Sequence, residues 1–183
     1  EHGERHLWSG RAVASLGLEN DAAVQERFTK LNNGIPTEFP DNVIAEAEAA
    51  AAAPADDADR LVDLRGEMLV TIDGEDARDF DDAVYACRTP EGWRLLVAIA
   101  DVSHYVRPRT ALDREARERG NSYYFPMSVE PMLPEALCNG VCSLRPDEER
   151  RCMAVDMRLD DDGNLTDTAF CNAVMISRAR LTY

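Results

Sequence analysis

Apolar and polar positions along this 183-residue chain change period repeatedly, and each change marks an element. Trp8, Val13 and Leu16 form a short strand-like run closed by Ser15 and Gly17, and such a strand implies a sheet whose other members lie elsewhere. Ala23, Val24, Phe28, Leu31 and Ile35 then recur at helical spacing, with Asn20 or Asp21 as N-cap and Gly34 as the stop. A second helix is expected from Asp41 through Val43 and Ile44 to Pro54. The Ala, Asp and Glu run 46–59 reads as a helical linker that fades into a solvated connection.

Beyond Arg60 the period shortens to that of strands: Met68 to Ile72, Ala83 to Cys87, and Trp93 to Ala100 after the turn Pro90-Glu91-Gly92. Thr110 with Asp113 is a capping-box signature that opens a helix closed by Gly120. Met153, Val155, Met157 and Leu159 alternate with Ala154, Asp156 and Arg158 as a half-buried strand, and Asp162-Gly163 turns it back into Leu165 to Ile176. The sum is an α+β fold, mostly antiparallel sheet with flanking helices.

Composition narrows the class. Apolar residues make up 45% and charged residues 30%, and no apolar run approaches the roughly 18 residues of a spanning helix, so neither a disordered acidic tail nor a membrane protein is expected. The net charge of −15 argues, taken alone, against a polyanionic partner. Five cysteines without a C-x-x-C pair fit a reducing, cytoplasmic location. The charged first ten residues lack an initiator Met and any apolar signal region, which leads to the expectation of a piece of something longer.

The charge itself is unevenly placed. Asp73, Glu75, Asp76, Asp79, Asp81 and Asp82 put six carboxylates into ten residues, with Arg78 as the only cation among them. Carboxylates held this close raise one another's pKa or recruit a cation, and a hard dication such as Mg²⁺ takes oxygen ligands. An acidic surface loop is the competing reading, since charge runs are usually solvated. Phe80 inside the run and Ala83-Val84 after it favour a loop pinned to the body. A calcium hand is disfavoured, because Gly74 stands at the second position after Asp73 and not the sixth.

The segment TIDGEDARDFDDAV (71–84), followed by VAIADVS (97–103), SYYFP (122–126) and PMLPE (131–135), resembles the ribonuclease II and ribonuclease R family of exoribonucleases, the ribonuclease R branch most. The resemblance runs from about Leu61 to Tyr183 and implies the N-terminal part of an RNB-type catalytic domain. Residues 1–18 are similar to the end of a cold-shock (OB-type) domain, a remnant strand, and 19–60 would be the helical connection. It implies processive 3′→5′ hydrolysis of single-stranded or structured RNA to nucleoside 5′-monophosphates with Mg²⁺, for which Mn²⁺ could substitute. It places metal on Asp73, Asp79 and Asp82 and the chemistry on Asp81; Glu75 and Asp76 are left outside the ligand set. The family's catalytic domain is longer, so the remainder of that domain and its OB-type domains are implied partners, and the piece by itself is expected to be inactive.

On the RNA side, Arg107, Arg109, Arg114, Arg117 and Arg119 form a cationic island whose alternative role is surface pairing with Asp113, Glu115 and Glu118. Aromatic rings beside such a stretch suit single-stranded nucleic acid, because bases stack on them regardless of sequence. By resemblance Tyr124 stacks on the 3′-terminal base, Phe125 packs, and Arg145 approaches the RNA backbone. His2 and His6 are read as exposed or domain-contact residues, His104 receives no general-base role, and Cys138 and Cys142 are read as buried small residues on a short helix. A non-catalytic ribonuclease-like fragment that binds RNA or protein is the alternative to the enzyme.

Overall fold

The computed structural model describes residues 10–53 and 60–183; Trp8, His2, His6 and the end of the acidic linker lie outside the described residues. The described chain forms two compact units, one of residues 10–37 with Tyr123–Glu130 and one of Glu38–Ser122 with Pro131–Tyr183.

In the first unit, residues 10–18 adopt no regular structure and Val13 is 87% exposed, so the strand expected there is not formed over the described part. A strand needs a neighbour to satisfy its N–H and C=O groups, and among the described residues no ladder partner reaches this stretch. Helix α1 (Ala22–Asn32) begins where expected, its N-cap Asp21 accepting from the Ala23 N–H at 2.9 Å. Its orientation inverts the usual pattern: Phe28 and Leu31 are exposed, whereas Lys30 is buried. Lys30 pairs with Glu26 at 2.8 Å and Glu130 at 2.7 Å, and stands over the Phe125 ring at 4.7 Å. Those last partners belong to a small hairpin, β5 (Tyr123–Tyr124) and β6 (Val129–Glu130).

The second unit is built on a five-stranded sheet. In chain order its elements are α2 (Asp41–Ala52), β1 (Val62–Asp63), β2 (Thr71–Asp73), β3 (Asp82–Thr89), β4 (Gly92–Ala100), α3 (Val102–Tyr105), α4 (Ala111–Arg119), a π-helical segment (Leu137–Val141), β7 (Glu149–Leu159), β8 (Leu165–Ile176) and β9 (Arg180–Thr182). The sheet order is β1-β8-β7-β4-β3, antiparallel except for β1 beside β8, while β2 and β9 form a separate parallel pair. The expected strands and the β7–β8 hairpin are therefore present, and α4 carries the expected cap, with Thr110 Oγ accepting from the Asp113 N–H at 3.1 Å.

The buried side of β7 is the opposite of a simple hydrophobicity reading. Cys152 and Ala154 face the core, and Met153 is 49% exposed. The register explains it: Ala98 pairs with Ala154 and Cys152 with Ala173, so the packed face of the sheet is a patch of small side chains. These join Val43 and Ala47 of α2 and Leu112 and Ala116 of α4 in one core cluster. Small residues let helices lie close to a sheet, and the close approach excludes longer side chains.

Gly92, at the turn between β3 and β4, has φ +136°, and a Cβ there would meet the Leu159 carbonyl oxygen at 2.1 Å. Gly92→Ala is expected to lower stability by about 1–3 kcal/mol, seen as a lower urea midpoint with unchanged slope.

Candidate functional site

The four aspartates occupy the connection between β2 and β3, and the fold fixes both of its ends. Asp73 is the last residue of β2 and Asp82 the first of β3. Val70 and Val84 exchange backbone hydrogen bonds at 3.0 and 2.9 Å, which closes the base of the loop. Inside it, the Ala100 N–H donates to the Asp81 carbonyl at 2.9 Å and the Leu144 N–H to the Phe80 carbonyl at 2.8 Å. Ser143, fully buried, completes the tie: its Oγ donates to the Arg78 carbonyl at 2.8 Å and accepts from the Phe80 N–H at 3.1 Å. Phe80 is buried, as its place within the acidic run implied.

This anchoring forces like charges together, and the carboxyls record it. Asp73 is pushed above the ordinary range by burial, then by the charges of Asp82 and Asp79, with Arg180 opposing. Asp81 is raised by burial and then by Asp79, Asp82 and Asp73. Asp73 and Asp81 therefore both sense the charges of Asp79 and Asp82. The second carboxylate oxygen of Asp73 is buried and has no hydrogen-bond partner, so it is an acceptor awaiting a positive group. Among the described residues, no three His, Cys, Asp or Glu side chains already converge as a finished cage. The donor set is nonetheless all oxygen, anionic and partly desolvated, which fits a hard dication.

Nearby cysteines do not compete for that role. Burial pushes the Cys142 thiol up to about 12, with Asp81 adding to it, and Cys138 up to about 11, with Asp79 contributing. Both stay protonated at neutral pH and act as small packing groups. Their helix is the π-helical segment, which breaks at Gly140.

The other candidates separate. Tyr124 stands on the β5–β6 hairpin of the first unit and is 67% exposed. Arg145 is half-buried and donates to the Asn139 carbonyl, which holds the π-helical segment. The arginine island is largely structural: Arg119 is 5% exposed, pairs with Glu115 at 2.9 Å, donates to the Glu38 carbonyl at 2.5 Å and lies 3.6 Å over Phe39. Arg114 donates to the Arg109 carbonyl at 2.8 Å, and Arg107 stands 3.4 Å from Nδ1 of His104. Sequence reasoning missed Ser143 and Arg180. The first had a signal, a hydroxyl between Cys142 and Leu144 in an apolar run; the second had none.

Residues 61–183 match the RNB domain. The chain belongs to the RNB-domain family. It is similar to ribonuclease R of Escherichia coli, 51% identical over 177 residues, and of Vibrio cholerae, 50% over 176. These alignments take in 95% of this chain and 22% and 21% of those proteins, so the chain spans about a fifth of the length of the curated relatives it matches. Among solved structures it is similar to Mycoplasma genitalium RNase R in complex with double-stranded RNA, with a TM-score of 0.84 and 34% identity over 92% of this chain and 30% of that one. The mixed α/β architecture is thus that of the RNB domain of RNase R, without a closed barrel.

The raised carboxyls carry a stability consequence with a definite sign. Asp73 and Asp81 titrate higher folded than unfolded, so the folded chain binds extra protons across that window and loses stability as pH rises through it. In the metal-free protein Asp81→Asn is expected to raise the melting temperature near pH 7. The gain should shrink toward about pH 4, where the native carboxyl begins to be neutral anyway. Thermal melts at both pH values check this, and a pH-independent change would contradict it.

Proposed function

We propose that the protein carrying this chain is a 3′→5′ exoribonuclease that hydrolyses single-stranded or structured RNA processively to nucleoside 5′-monophosphates with Mg²⁺, Mn²⁺ serving as a substitute. The reading rests on the family of the chain and on one observation above all: four aspartates are anchored within mutual electrostatic reach, one of them with a buried oxygen lacking a partner. This chain would supply the acidic half of the site, with the rest of the relatives' length supplying the RNA channel. Residues 1–18 would close a preceding cold-shock domain.

Asp73, Asp79 and Asp82 would hold the dications. Bound there, such ions would supply neutralisation of the phosphodiester charge and a lowered pKa for an attacking water. The chain's own contributions are separable from that. The ties from Ser143, Leu144 and Ala100 fix the loop before substrate arrives, so no reorganisation is needed at the moment of reaction. A carboxylate oxygen of Asp81 takes the proton of the water that attacks phosphorus, the P–O3′ bond breaks, and the 3′ oxygen of the shortened RNA leaves with a proton drawn from solvent. Tyr124 stacks on the terminal base and orients the strand.

In the whole protein, Asp81→Asn is expected to cut hydrolysis of 3′-labelled RNA by about 10²–10⁴-fold while RNA binding persists. Retained turnover would reject Asp81 as the residue that carries the chemistry, and binding without hydrolysis by the unsubstituted whole protein would leave a binding module. Tyr124→Ala should weaken binding of a short single strand by about 1–3 kcal/mol, measured by fluorescence anisotropy.

A further inference from the structure

The acidic loop has ties along its second arm, at Arg78, Phe80 and Asp81, but its first arm, Gly74-Glu75, is reached by a residue from the far end of the chain. β9 lies parallel to β2 with Arg180 opposite Thr71 and Thr182 opposite Asp73. Ladder partners project to the same side of a sheet, so Arg180, Thr71 and Asp73 share a side of this ribbon. Nη2 of Arg180 donates to the Gly74 carbonyl at 2.9 Å and also to the Glu75 carbonyl. The same guanidinium lies 5.3 Å over the Phe80 ring, between Asp79 and Asp81 in sequence. One side chain thus touches both arms of the loop.

What Arg180 does not do is as informative. A guanidinium beside a carboxylate usually closes a forked ion pair. Arg180 forms none with Asp73: its Nη2 is spent on backbone carbonyls, its Nε is buried without an acceptor, and Asp73 Oδ2 is buried without a donor. Thr71 Oγ, on the same side of the ribbon, is likewise buried without a partner. Two unsatisfied oxygens on the same side of the ribbon, Asp73 Oδ2 and Thr71 Oγ, are costly, and a fold keeps such acceptors where something else completes them.

We infer that Arg180 is a positioning residue for the metal site, clamping the first arm of the loop through the Gly74 and Glu75 carbonyls and the second through the Phe80 ring while leaving the Asp73 carboxylate open to a dication. The inference rests on the metal reading proposed above and extends it to a residue outside the acidic motif. A lysine at 180 would keep the charge but lose the planar guanidinium that lies on the ring while its nitrogen reaches the carbonyls.

The test uses the whole protein and its Arg180→Lys and Arg180→Gln variants, with Mn²⁺ binding followed by electron paramagnetic resonance and near-ultraviolet circular dichroism as the check of fold. Arg180→Lys is expected to weaken Mn²⁺ binding about 10- to 100-fold, as loss of a group that orients metal ligands does. It should raise the half-saturating Mg²⁺ concentration for hydrolysis by a similar factor, with kcat recovered at excess Mg²⁺. Arg180→Gln should show the same shift. Unchanged Mn²⁺ affinity in folded Arg180→Lys would overturn the inference. So would a kcat loss that excess Mg²⁺ does not restore, since that pattern belongs to a direct substrate contact. If Arg180→Lys loses its native dichroism, Phe80→Leu replaces it: it removes only the ring under the guanidinium, and unchanged Mn²⁺ affinity there overturns the clamp. Asp73→Asn separates the two levels of argument, because unaltered Mn²⁺ binding in that variant would reject the metal site itself, whatever Arg180 does.

Discussion

Repulsion among the carboxylates of one loop is the constraint to which the surrounding structure answers. Left to itself, a ten-residue stretch with six acids would swing into solvent and spread its charges. Here the stretch is tied at its base by the Val70–Val84 pair, in its second arm by Ser143, Leu144 and Ala100, and in its first arm by Arg180. Each tie is made to a backbone group of the loop. None uses a carboxylate of Asp73 or Asp81, so the anchoring does not consume the groups it gathers. The cost remains visible in the raised pKa of both residues.

That arrangement also explains the contents of the wall behind the loop. Cys142, Ser143 and Leu144 are all buried, and the segment they form supplies one hydroxyl and one amide to the loop and otherwise only apolar surface. An apolar wall strengthens every charge interaction in front of it, the repulsion among the carboxylates and equally the attraction a dication would feel there. The two cysteines suit the position because their thiols are held neutral. A thiolate there would add a fifth negative charge and a soft ligand that a hard metal does not prefer.

Much of this was legible in the sequence, and the parts that were not share a cause. Period-two alternation located β4, β7 and β8, cap chemistry located α1 and α4, and acidic spacing with Phe80 located the pinned loop. Local patterns carry such features because neighbours in sequence decide them. Which side of β7 packs was not local: Met153 outweighs Ala154 in hydrophobicity, yet the small-residue register of Ala98, Ala154, Cys152 and Ala173 chooses the other face. Lys30 was likewise unreadable as a buried residue, since its partners Ser128 and Glu130 are about a hundred positions away. The strand expected around Val13 failed because alternation alone cannot supply the neighbour a strand requires. Arg180 was hidden for the same reason, its meaning being created only when β9 pairs with β2.

The net charge of −15 then takes on a different sense from the one it has as a sum. Residues 1–60 carry 5 basic and 12 acidic groups and residues 61–183 carry 15 and 23, six of the latter in the loop. Several of the cations are already engaged within the fold: Arg94 by Asp156 at 2.6 Å and Glu67 at 2.8 Å, Arg65 by Asp63 and Glu149, Arg119 and Lys30 in their buried clusters. They hold the sheet and helices together and are poorly placed to draw a polyanion by long-range attraction. A phosphate chain approaching this surface is therefore repelled unless the loop is first neutralised. Under the proposed function, loading of the carboxylates would have to precede or accompany RNA engagement, and the cation would be a condition for substrate access as well as for chemistry.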